Sequence, residues 1–127
     1  MVIAEPVDTQ LVILEPNGRL TAETVDEFNQ TVSKWVRRGW HDLIVDLGFV
    51  TYLDSAGIGA LAQLHLSSQR RGNRAVFVNV TGKTRELLRV TKLLTVFEVY
   101  ESTTAAERSF VRPRVVARAA SGQDLIA

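Results

Sequence analysis

His41-Asp42-Leu43-Ile44-Val45-Asp46-Leu47-Gly48-Phe49-Val50-Thr51-Tyr52-Leu53-Asp54-Ser55-Ala56-Gly57-Ile58-Gly59 holds the transition that decides the fold of this chain. Leu43-Ile44-Val45 is a short apolar run flanked by Asp42 and Asp46, the pattern of a strand covered on both faces. Gly48 to Leu53 reads as a loop. Asp54-Ser55 then stands directly before a stretch with helical spacing, where a helix cap is expected. The order strand, loop, helix puts a hydroxyl at the end of a helix whose first N–H groups lack partners.

Upstream, Leu11 to Leu14 reads as a strand. Pro16-Asn17-Gly18 is a turn signal and Arg19-Leu20 begins a return, so a hairpin is expected there. Met1 to Pro6 is either an added edge strand or loose. Val25, Phe28, Val32, Trp35 and Val36 recur at helical spacing, with Thr24 and Glu27 placed for a capping box and Gly39 as the stop. Trp35 is in phase with the core; Trp40 is not.

Downstream, the helix opened by Ser55 runs to about Arg70 with Ile58, Leu61, Ala62, Leu64 and His65 on its apolar side. Ala75 to Val78 is a second buried strand. A helix over 82–91 presents Leu87, Leu88 and Val90, with Thr81 as its cap. A strand over 96–99 and a brief helix over 103–110 follow. Strands alternating with helices after a hairpin define an α/β class: a mixed sheet, parallel toward its later strands, with helices packed against it.

The 127 residues are enough for one domain, placed at 1–112, with an Arg- and Ala-rich tail over 113–127 expected to be mobile. A net charge of +1 gives no pull toward nucleic acid, and the absence of cysteine removes disulfides and thiolate chemistry. No run reaches the roughly 18 apolar residues of a membrane span. Glu5, Pro6 and Asp8 interrupt any secretory signal. These features point to a cytoplasmic protein away from the membrane. No ligand cluster suggests a metal, and nothing calls for a cofactor.

Three chemistries suit Ser55. As a cap it satisfies a backbone donor. As a nucleophile it needs a Gly-x-Ser-x-Gly elbow and a base; position 53 is Leu, and His65 lies about 15 Å along the same helix, so catalysis is set aside. As a phosphoryl acceptor it takes a charge of roughly −1.5 to −2 at a helix end that favours anions. Gly57 and Gly59 each cost about 1 kcal/mol relative to Ala in a helix. Either tight helix-on-strand packing or close approach of a partner's backbone explains them, and spacing alone does not separate the two.

Asp46-Leu47, the short loop and Tyr52-Leu53-Asp54-Ser55-Ala56-Gly57-Ile58-Gly59 resemble the signature of bacterial anti-sigma factor antagonists, the stand-alone STAS (sulfate transporter and anti-sigma factor antagonist) domains. The order of elements from about Leu11 to Phe110 is similar too. The resemblance implies a STAS fold without enzymatic activity, and Ser55 as the site phosphorylated by an anti-sigma factor with serine kinase activity. The unphosphorylated form would bind that partner and free a sigma factor, and a phosphatase would restore it. Asp54, Ala56, Gly57, Ile58, Gly59 and Thr21 would form the partner-binding surface. The family's Gly-Glu-Leu-Asp ahead of the first helix is here Gly18-Arg19-Leu20-Thr21, without the acids. Its glycine closing the third helix is here Thr91-Lys92. The alternative reading is a STAS interaction module that is never phosphorylated, in a transporter or sensory complex.

Gly82-Lys83-Thr84 opens a helix after a strand, but a phosphate-binding loop needs a glycine at position 77, which is Phe. Asp42 and Asp46 lie about 13 Å apart along one strand, too far for joint acid–base work.

Overall fold

The structure is a computed structural model that describes residues 1–110. The tail expected over 113–127 lies outside them. The strands β1 (Val2–Pro6), β2 (Leu11–Pro16), β4 (Asp42–Asp46), β6 (Ala75–Val78) and β7 (Glu98–Tyr100) form a five-stranded sheet in the order β1-β2-β4-β6-β7. β1 is antiparallel to β2, and the remaining pairings are parallel. Two further strands, β3 (Gly18–Leu20) and β5 (Val50–Leu53), pair with each other in a separate two-stranded sheet. The helices are α1 (Val25–Arg37), α2 (Ser55–Arg70), α3 (Gly82–Val90) and α4 (Thr103–Ser109).

Strand alternation sorts the core into two layers. Val12, Leu14, Leu43, Val45, Ala75 and Phe77 face one way and meet Phe28 of α1, Leu61 and Leu64 of α2, and Leu88 of α3. Leu11, Ile44, Val76 and Val78 face the other way, against Ala106 of α4. Three helices therefore cover one face and the last helix covers the opposite one. This double coverage is why β4 and β6 are apolar at consecutive positions.

The opening hairpin exists, but one element earlier than expected. It joins β1 to β2, while Pro16-Asn17-Gly18 leads away from β2 and sends β3 to pair in parallel with β5. The expected loop over 48–53 contains β5, whose four residues lack a long apolar run because one side faces solvent. The capping box is not formed either. Thr24 is the N-cap of α1, yet its hydroxyl accepts from the Thr21 N–H and donates to the Arg19 carbonyl. Glu27 instead reaches across to accept the Val2 N–H on the outer edge of β1. Thr81 stands at the N-cap of α3 without a side-chain cap bond. Val90 is 53% exposed, outside the face that buries Leu88. The last strand begins at Glu98, two residues later than its apolar run, because Val96 and Phe97 close a 3-10 turn over Leu93–Thr95.

Trp40 is half-buried beside Trp35, edge to face at 5.1 Å, and its indole N–H donates to the Asp8 carbonyl at 2.7 Å. Gly39 ends α1 with φ +105°, as its position demanded. His65 lies in the core against Phe97, which in turn stacks on Phe77.

Candidate functional site: the Ser55 helix end

β3 and β5 lie in register as Arg19↔Tyr52 and Leu20↔Leu53, so Leu20 and Leu53 turn inward together. β5 delivers the chain at once to Asp54 and Ser55. Asp54 is extended and caps α2: one carboxylate oxygen accepts the Gly57 N–H at 2.9 Å. The other accepts the Ala22 N–H at 3.0 Å, from the turn ahead of α1. One side chain thus ties two helix beginnings to each other. The Gly57 and Ala22 N–H groups hold its carboxyl below the ordinary value near 3.8, so it is ionised at neutral pH.

Beneath this cap, α2 packs on β3 with no space for a side chain at position 57. A Cβ there would overlap the Leu20 carbonyl oxygen and press on Leu53. Gly59 is the reverse case: it is exposed, and a Cβ there would meet nothing within 4 Å. The two reasons left open for these glycines are divided between them. Gly57 serves packing within the chain, and only Gly59 leaves a bare backbone facing outward.

Ser55 is exposed, and among the described residues its hydroxyl has no hydrogen-bond partner. Ala56 and Ile58 are half-exposed beside it. Thr21 is 3% exposed, with its hydroxyl turned toward the Glu23 N–H. Thr21 and Gly57 therefore shape the site from below and present no surface, whereas Ser55, Ala56, Ile58 and Gly59 share an accessible helix end. The Gly57 donor that an anion at this helix end would use is already taken by Asp54. A phosphoryl group on Ser55 would add its charge outside the cap, next to an existing carboxylate.

For nucleophilic chemistry the surroundings are poor. His65 is buried against Phe97 and His41 is exposed beyond the opposite end of β4. Among the described residues no cluster of His, Cys, Asp or Glu is arranged to hold a metal, and no helix is long and apolar enough to cross a membrane.

Sequence reasoning missed the outer face of the small sheet. The Arg19 guanidinium stacks 4.7 Å from the Tyr52 ring centre, and Tyr52 and Phe49 are 51% and 55% exposed. Once β5 is recognised as a strand, alternation with buried Leu53 places Tyr52 outside; the reading of a loop hid that signal.

The fold is shared with other proteins. The STAS domain model matches residues 3–106, and the chain belongs to that family. No curated protein matches the sequence. Among solved structures, a Thermotoga maritima chain provisionally described as an anti-sigma factor antagonist superposes with TM-score 0.80 at 24% identity, over 87% of this chain and 95% of that one. The Bacillus cell fate determinant SpoIIAA in its phosphorylated form superposes with TM-score 0.68 at 17% identity, over 86% and 99%. The murine anion transporter Slc26a9 carries a similar unit, with TM-score 0.67 at 20% identity over 85% of this chain and 21% of the transporter.

Proposed function

We propose that this chain is an anti-sigma factor antagonist. In its unmodified form it binds an anti-sigma factor with serine kinase activity and so releases a sigma factor. Phosphorylation of Ser55 by that kinase ends the binding, and a phosphatase restores it. The setting is the cytoplasm, where transcription is regulated. The protein acts as a binding module and not as an enzyme.

The observation that carries this reading is the exposed, unbonded Ser55 hydroxyl beside the bare backbone of Gly59. A partner can approach closely while the position holds a small neutral alcohol. A phosphoryl group there is bulky and adds roughly −1.5 to −2 charges at that contact. The fold need not change, since Asp54 keeps the cap. The test is the affinity of Ser55→Asp and Ser55→Ala for the kinase-like anti-sigma factor encoded nearest its gene. Ser55→Asp should bind at least about tenfold more weakly, a loss of about 1.4 kcal/mol, with Ser55→Ala near wild type. Equal affinities would refute the switch.

A second reading is a STAS module docked in a transporter or sensory assembly without phosphorylation. It is favoured by Arg19, whose charge is opposite to that of the acid common at this place in the antagonists. Absence of any phosphate on protein from its native cell, together with co-purifying transport subunits, would select it.

A further inference from the structure

Beside Ser55, on the side from which β5 arrives, lies a shallow groove of about 280 Å³ between β5 and α3. Tyr52 and Leu53 form one wall and Lys83, Thr84 and Leu87 the other. The outer edge of the Tyr52 wall carries Arg19 on its ring. Groove, aromatic wall and cations form one continuous surface that ends at Leu53, two residues before Ser55.

The charges on this surface that lack an ion-pair partner among the described residues are of one sign. Arg19 and Lys83 are exposed, and among the described residues neither is in an ion pair. Glu86, the acid on the groove, is already paired with Arg89. Asp54, the next carboxylate along the chain, is committed to the Gly57 and Ala22 N–H groups. A mostly apolar slot rimmed by two cations without ion-pair partners selects its occupant by charge.

We infer that this groove docks an acidic segment of the partner, with one apolar side chain inserted between Tyr52 and Leu87 and carboxylates set against Arg19 and Lys83. The inference rests on the antagonist reading for the identity of the partner and deepens it by giving the partner's chemistry. It also gives the switch its sign: a phosphoryl group on Ser55 would repel the acidic segment at the end of its own groove.

The test is an NMR titration of the 15N-labelled chain with a synthetic nonapeptide of Glu and Asp around a central Leu. Two control peptides replace that Leu by Ser, or every acid by Lys. The acidic Leu peptide should shift the amides of Tyr52, Leu53, Lys83, Thr84 and Leu87, with an affinity on the order of 1 mM. The Ser and Lys peptides should bind at least about fivefold more weakly. Arg19→Glu combined with Lys83→Glu should weaken the acidic peptide about tenfold; both positions are exposed, and an otherwise unchanged spectrum verifies the fold. Tyr52→Thr should remove the dependence on Leu. Absence of shifts overturns the inference, as do shifts confined to a second cleft, lined by Asn79, Arg85 and Tyr100, or equal binding of the Lys peptide. The titration involves neither kinase nor phosphate, so its failure is distinct from failure of the Ser55 switch.

Discussion

The carboxylate of Asp54 bonds to the backbone N–H of Ala22, 32 positions earlier, while its other oxygen caps its own helix at Gly57. The two helix beginnings nearest the exposed serine are thereby fixed to one anionic group. Ser55 is presented on a rigid mount and not on a free loop.

Asp54 makes the mount sensitive to acid. Its pKa is lower in the folded chain than the ordinary value near 3.8, so the unfolded chain binds more protons between the two values. Stability from this group is therefore complete above the ordinary value and is lost as pH falls through the folded one. Asp54→Asn should lower Tm at pH 7, with the difference from wild type narrowing below about pH 4. Glu86 is depressed in the same range by its bond to Arg89 and cancels in the comparison. Thermal melts of both proteins from pH 3 to 7 check this; a constant difference would show that the Asp54 charge contributes nothing.

The two glycines of α2 should respond oppositely to alanine. Gly57→Ala forces a methyl into the Leu20 carbonyl and should destabilise the fold by about 2 kcal/mol or more. Gly59→Ala fills open space and improves helix propensity, so it should stabilise by about 0.5–1 kcal/mol. It should still weaken partner binding if the proposed docking surface is right, because the methyl would stand on the proposed contact. Urea unfolding with a binding assay on the same proteins separates the effects.

Lys92 holds φ +68° just past the end of α3, a conformation that favours glycine. Lys92→Gly should stabilise the protein by about 0.5 kcal/mol, the relieved strain outweighing the added freedom of the unfolded chain. Chemical denaturation measures it.

Arg74 anchors α4. Its guanidinium pairs with Glu98, donates to the Ser109 carbonyl at 2.9 Å and lies 4.2 Å from the Phe110 ring centre. Arg74→Lys keeps the charge but loses the planar fork. With about a third of both side chains exposed, the cost is about 1 kcal/mol. Hydrogen exchange should show it as faster opening of α4 than of α2.

Much of the sheet was legible because its signals are local. Leu43 to Val45 and Ala75 to Val78 are apolar without alternation, and Gly39 stops α1 where the cations end. The small sheet was not legible. β3 and β5 have only a few residues each, and their pairing joins positions more than 30 apart that no periodicity links. Reading 48–53 as a loop then concealed the Arg19–Tyr52 face. At the site, the motif pointed to Ser55 and its capping Asp54. The division of labour between Gly57 and Gly59 needed the Leu20 carbonyl, a backbone atom that sequence cannot place. Thr21 sits at the right point in the chain, but the turn that buries it is set by Thr24 bonding back to Arg19.

The proposed switch acts on one group, the Ser55 hydroxyl. Incubation of the full chain with its anti-sigma factor kinase and ATP, followed by mass-spectrometric location of the phosphate, tests it most directly. A single phosphate on Ser55, absent from Ser55→Ala, is the predicted result. Full labelling of Ser55→Ala, with the phosphate on another residue, would contradict it.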